Sequence, residues 1–217
     1  FNGSEIVGPE VQNLLIATYD GQGQVLSHRS AQADEGIEVS GALCIDGTGQ
    51  MYVAVTFSGT FHIDGYDLDA LGSTDVAVAS YSEFGWNWAI SAGGAGADKT
   101  WDCDGKLTSG IHVVGDFSGN ASFGSLFTTQ SDNVDFFITE VSSTGGWVNL
   151  NHAGGPGTDS VRHVVLSQQG NIYIAGSSSE GLTLGEYVLQ DLDGISDRSY
   201  NDIFLAELLV NGTWGWA

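Results

Sequence analysis

Only five basic residues stand among the 217 of this chain, against 27 acidic ones. The resulting formal charge of −22 repels nucleic-acid phosphates and anionic lipid headgroups, so neither nucleic acid nor a membrane is expected as a partner. Proline is scarce too, with two residues beside 32 glycines, a balance that suits tight strand connections and excludes both collagen and a disordered linker. No apolar run approaches the roughly eighteen residues of a membrane-spanning helix, and no basic start followed by an apolar stretch marks a signal peptide. There is no H-E-x-x-H, no G-x-S-x-G, no C-x-x-C pair and no phosphate-binding loop, which leaves an enzyme, a hydrolase included, as the least supported reading.

What the chain does have is a repeat. Asp75-Val76-Ala77-Val78-Ala79-Ser80-Tyr81 returns as Asp135-Phe136-Phe137-Ile138-Thr139-Glu140-Val141 and as Asp202-Ile203-Phe204-Leu205-Ala206-Glu207-Leu208, with a fainter copy at Asn13-Leu14-Leu15-Ile16-Ala17-Thr18-Tyr19. The intervals are 62, 60 and 67 residues, and aromatic elements trail three of the copies, at Gly85-Trp86-Asn87-Trp88, Gly146-Trp147 and Trp214-Gly215-Trp216. A period of this length decides the fold before any single residue does. Each unit also holds a run such as Met51-Tyr52-Val53-Ala54-Val55, Ile111-His112-Val113-Val114-Gly115 or Ile172-Tyr173-Ile174-Ala175-Gly176.

Every unit therefore contains four short apolar or alternating runs bounded by Gly, Asn, Asp and Ser. None reaches helical length and β-branched and aromatic residues dominate, so the runs are strands. Four strands per unit predict an all-β, propeller-like array of four-stranded blades, about 60 residues per repeat. The expected division is one domain, 1–217, with repeats at 13–74, 75–134 and 135–201 and a split blade made of 1–12 and 202–217. Opening on Phe1 inside a repeat motif, the chain is expected to derive from a processed or longer precursor.

The spaced motifs D-x-F-x-A, G-x-W, G-G-x-G-x-D (Gly93 to Asp98 and Gly154 to Asp159) and G-N-x-Y-x-x-G (Gly170 to Gly176) resemble the bacterial SBBP-type β-propeller repeat. The likeness spans nearly the whole chain, although the first copy has Ala31-Gln32-Ala33-Asp34 where the glycine pair belongs. It implies a propeller fold and a secreted or surface scaffold without one shared activity.

Several residues are singled out on chemical grounds. Asp191, Asp193 and Asp197 crowd carboxylates onto a glycine turn, the arrangement a hard cation such as Ca2+ uses, whereas the bland reading is solvated turn acids. Cys44 and Cys103 lie 59 residues apart, one short of the local interval, so they occupy nearly the same place in adjacent blades: a disulfide candidate, or else two small buried hydrophobes. Asn2, Asn120 and Asn211 head glycosylation sequons in predicted turns. Trp86, Trp147 and Trp214 recur in register, as packing residues do. Trp88 and Trp101 are less regular and suit stacking on a sugar, which keeps a glycan-binding, lectin-like alternative open.

Asp75, Asp135 and Asp202 recur at one place and so read as structural. Residues that break the pattern are the better candidates for chemistry: His28 with Arg29, His62, Trp101, and Arg162 with His163. The ends are expected to expose unpaired strand edges, with Phe1, Ile6, Val7, Trp214 and Trp216 at a subunit contact. The sequence thus favours a non-enzymatic, extracellular structural or adhesive protein, self-associating into filaments through its terminal strands.

Overall fold

The computed structural model describes residues 13–34, 37–129, 131–190 and 201–217. Everything regular in them is strand; they contain no helix, and so none long and apolar enough to cross a membrane. β1 (Asn13–Tyr19) and β2 (Val25–Ala33) pair antiparallel. β3 (Ile37–Ile45) and β4 (Met51–Phe57) start a sheet that is interrupted by the hairpin β5 (Thr60–Ile63) and β6 (Tyr66–Asp69), then completed by β7 (Asp75–Ser82) and β8 (Gly85–Gly94). The same plan follows with β9 (Lys99–Gly105), β10 (Ile111–Gly119), hairpin β11 (Ala121–Phe123) and β12 (Leu126–Phe127), β13 (Ser131–Val141) and β14 (Trp147–Ala153). It recurs with β15 (Asp159–Leu166), β16 (Ile172–Ser178), hairpin β17 (Leu182–Leu184) and β18 (Tyr187–Leu189), β19 (Asp202–Leu208) and β20 (Trp214–Trp216).

Each inserted hairpin serves the sheet before its own. β5 pairs with β2 and β11 with β8, while β17 touches the end of the preceding sheet through the bridge Thr183 to Gly154. The first hairpin turns at Asp64-Gly65, both at positive φ (38° and 89°), a conformation open to glycine and tolerated by aspartate that matches strand twist. The expected four-stranded, all-β plan is therefore present as three complete antiparallel meanders preceded by the half-sheet β1–β2, with no closed ring among the described residues.

The boundaries differ from those read in the sequence. The sheets run 37–94, 99–153 and 159–216, so the unit 75–134 joins the last two strands of one sheet to the first two of the next. Segment 202–217 does not open a split blade: β19 is in register with β16 from Asp202 opposite Ser178 to Leu208 opposite Ile172, and it completes the third sheet. Residues 1–12, the other half of that expected blade, lie outside the described residues. The conserved-looking start of a repeat marks a third strand, and hydrogen-bond pairing, not the phase of the motif, sets where a sheet begins.

Cores lie between successive sheets. Ile16, Phe57, Phe61 and Tyr81 fill the first, Tyr52, Phe117, Phe123 and Phe137 the second, and Phe136, Ile138, Leu182 and Phe204 the third. Fully burying such a side chain stabilises by about 1.5–3 kcal/mol. Volume is balanced across strands: where Phe137 and Phe204 sit, their partners are Gly115 and Gly176, and a Cβ on either glycine would run into the ring, whereas the equivalent pair in the first sheet is Val55 opposite Ala77.

The cysteines are joined, with Cα atoms 6.0 Å apart. Cys44 pairs with Tyr52, and the repeat equivalent of Tyr52, His112, pairs with Asp104 rather than Cys103. Because side chains alternate faces along a strand, the one-residue offset turns Cys103 back toward the first sheet while Cys44 points forward. At the full interval both would have pointed the same way.

Candidate functional site: an uncovered sheet face and a polar junction

The middle strands β4 and β7 of the first sheet are buried on both faces. β7 is buried from Asp75 to Tyr81, but its third-sheet equivalent β19 alternates buried with exposed. Register fixes the equivalences: Leu205 lies opposite Ala175 as Val78 lies opposite Ala54 and Ile138 opposite Val114. Val78 and Ile138 are 0% and 1% exposed, and Leu205 is 58% exposed; Val76 and Phe136 are both 0% exposed, and Ile203 is 86% exposed. Tyr173 is 36% exposed where Tyr52 is 0%. With Val165 and Trp216, whose ring lies 6.1 Å from that of Tyr173, these side chains form an apolar face. A hollow of about 460 Å³ opens beside it, lined by Val188, Leu189, Ile203, Leu205 and Ala217 among others.

The opposite end carries the complementary lack. Ile16 of β1 faces the first core, whereas Leu15 and Tyr19 on its other face are 37% and 51% exposed, although their equivalents Ala77 and Tyr81 are buried. Trp214 is partly buried against the third core and Trp216 is exposed, so the expected contact region at β20 presents a face of side chains as well as a strand edge. Phe1, Ile6 and Val7 lie outside the described residues, as do the carboxylates Asp191, Asp193 and Asp197 and the sequon residue Asn2. Asn120 and Asn211 are exposed in turns, and Asn211 Oδ1 accepts hydrogen bonds from the Thr213 amide and hydroxyl.

Three of the pattern-breaking residues meet where the second and third sheets join. Arg162 stacks over Trp101, its Cζ 3.5 Å from the ring centroid. The Trp101 indole N–H donates to Asp116 Oδ2 at 2.6 Å, Ser160 Oγ donates to the same carboxylate, and the Arg162 guanidinium stands 3.7 Å away. Burial pushes Asp116 up to about 6, against the pull of Ser160, Trp101 and Arg162. His163 lies 3.5 Å from Asp102 Oδ2, which also accepts from the Val164 amide of the third sheet; Asp104 likewise accepts from Leu166. The cluster holds two sheets together. Ser160 spends its proton on Asp116, within the cluster.

At the first junction Asp46 plays a similar part. Burial raises its carboxyl, but hydrogen bonds from Thr48, Tyr52 and the Gly110 amide of the second sheet outweigh burial and hold it at about 2. His62 bridges Asp67 (2.7 Å) and Asp34 (3.1 Å) on the surface, and its pKa rises chiefly through the Asp67 bond. Arg29 donates to the His28 carbonyl, away from the other candidates.

Trp86, Trp88 and Trp147 are engaged in packing. Trp86 meets Tyr81 edge-on and Trp147 meets Phe123 edge-on, while the Trp88 N–H donates to the Ser143 carbonyl and its ring covers Gly145. A cleft of about 260 Å³ near the second junction is lined by Lys106, His112, Glu140, Asn149 and Gln168 among others, but by no Trp, Tyr or Phe among the described residues. Neither Trp88 nor Trp101 therefore joins this cleft as a sugar platform. Sequence reasoning missed Asp46, Asp116 and the buried partners of the recurring aspartates; recurrence of G-G-x-G-x-D in step with D-x-F was the available signal. No protein-family model matches this sequence, and no curated protein is significantly similar to it.

Proposed function

We propose that the chain is a non-enzymatic, propeller-type repeat module of the SBBP kind, an extracellular structural or adhesive component that associates head to tail through its two uncovered sheet faces. The observation that carries this reading is the exposure of Ile203 and Leu205 at positions whose equivalents are sealed in both preceding sheets. The natural cover for a forward face is the back face of another sheet, and the exposed back face is that of β1, with Leu15 and Tyr19. Front meeting back is a heterologous contact, which propagates unless its rotation closes a ring.

The disulfide accords with an oxidising compartment. Exposure on Ile203, Leu205 and Val165 amounts to about two fully exposed aliphatic side chains, hence roughly 3–6 kcal/mol of gross apolar gain. Association itself costs about 4 kcal/mol or more, so the contact is weak and concentration-dependent. Sedimentation velocity across a concentration series tests the proposal: average mass rises for the native chain and not for Leu205→Glu. A native chain that stays monomeric at millimolar concentration refutes it.

A further inference from the structure

Asp75 and Asp98 are 1% and 0% exposed, and in each the Oδ1 atom is buried without a hydrogen-bond partner. The other oxygens are held by main chain: Asp75 Oδ2 accepts from Leu71 N–H at 3.0 Å and Asp98 Oδ2 from Gly94 N–H at 2.7 Å. One repeat later the arrangement returns. Asp159 is 0% exposed, its Oδ2 accepts from Gly155 N–H at 2.6 Å, and the Oδ1 atoms of Asp135 and Asp159 are again buried and unpartnered.

The glycine pairs are the cradle. A Cβ on Gly93 would collide with the Asp75 carboxylate, and one on Gly154 with that of Asp135, while the next glycine in each pair supplies the N–H that orients the second aspartate. Two hydroxyls beside these pairs, Thr74 Oγ1 and Ser178 Oγ, are also buried and unpartnered; Thr74 precedes Asp75 and Ser178 bears on Asp159. In the first copy the slot of Asp75 is taken by Asn13 and the glycine pair is replaced as well, so carboxylate and cradle disappear together.

Two carboxylates buried side by side repel unless a proton or a cation lies between them. Burial raises all four, and the charge of Asp75 adds to the effect on Asp98 as that of Asp159 does on Asp135. We propose that Asp75 with Asp98, and Asp135 with Asp159, each take up one Ca2+ at the junction of a third strand with the following glycine loop. The donors are all oxygen, which suits a hard cation rather than zinc, and their irregular arrangement on loop backbone suits calcium rather than octahedral magnesium. Among the described residues no third His, Cys, Asp or Glu joins either pair, and the unpartnered hydroxyls beside them are those of Thr74 and Ser178. These residues are other than Asp191, Asp193 and Asp197, and the inference does not rest on head-to-tail assembly.

Isothermal titration of the chelator-stripped full chain with Ca2+ near pH 7.5 tests it. Two ions per chain are expected, one in Asp98→Asn, one in Asp159→Asn, and none in the double variant, with Mg2+ binding at least tenfold more weakly. No binding to the native chain overturns the proposal and assigns each pair a shared proton instead. Undiminished stoichiometry in a double variant of native circular dichroism also overturns it, placing calcium elsewhere. Absence of binding to the native chain decides against it even if a variant misfolds, and for a misfolded variant Asp98→Glu and Asp159→Glu, which lengthen each carboxylate, are expected to weaken binding in its place.

Discussion

Asp116 offers a sharp test of how the second and third sheets are locked, because its carboxyl is raised to about 6 in the folded chain from an ordinary 3.8. The native state binds this proton more tightly than the unfolded chain does. The associated stability is fully present below pH 4 and is lost as pH rises to about 6. A displacement of that size is worth about 3 kcal/mol. Asp116→Asn keeps the shape but removes the titration. The stability difference, native minus variant, is therefore expected to be about 3 kcal/mol larger at pH 4 than at pH 7. Comparing the two proteins cancels other groups, notably His112, whose lowering by burial to about 4 works in the opposite sense. Urea denaturation at constant ionic strength from pH 4 to 7, with chelator present, supplies the numbers. A difference independent of pH, or larger at pH 7, would mean that the Trp101, Ser160 and Arg162 contacts keep the carboxylate ionised and that burial is the lesser effect.

Three further outcomes are expected. Cys44→Ser with Cys103→Ser opens a loop of 59 residues and should cost about 2–4 kcal/mol, read from urea denaturation with the slope fitted for each protein; no loss would show that sheet packing alone fixes the first junction. Gly115→Ala drives a Cβ into the Phe137 ring and the Lys99 carbonyl and should destabilise by about 1–3 kcal/mol by thermal unfolding, whereas Gly21→Ala meets nothing and should be near neutral. Phe204→Ala empties part of the third core, at a cost of about 3–5 kcal/mol, and its near-ultraviolet dichroism should change while the first two sheets remain protected from hydrogen exchange.

The sequence was legible where periodicity reports a local property. Strand existence, the number of strands per unit and the packing role of Trp86, Trp147 and Trp214 all follow from apolar residues recurring at fixed places. The pairing of Cys44 with Cys103 was open because spacing shows proximity but not which way a side chain points; that depends on register, and a single residue reverses it. Sheet boundaries were hidden for a related reason. The motif D-x-F-x-A advertises the third strand, and nothing local tells that β19 prefers β16 as its neighbour. Asp46 and Asp116 look like ordinary turn or strand acids in one dimension, since their burial comes from the next sheet. The cluster of Trp101, Arg162 and His163 was detectable as departures from the repeat, although its partner Asp116 was not.

Head-to-tail association is tested most directly by mixing. Leu205→Glu spoils the forward face and leaves the back face intact; Tyr19→Glu does the reverse. Each variant alone should sediment as a monomer at concentrations where the native chain assembles, and an equimolar mixture should form dimers and nothing larger, because only one productive junction can form. A mixture that remains monomeric, or single variants that assemble like the native chain, would contradict the account.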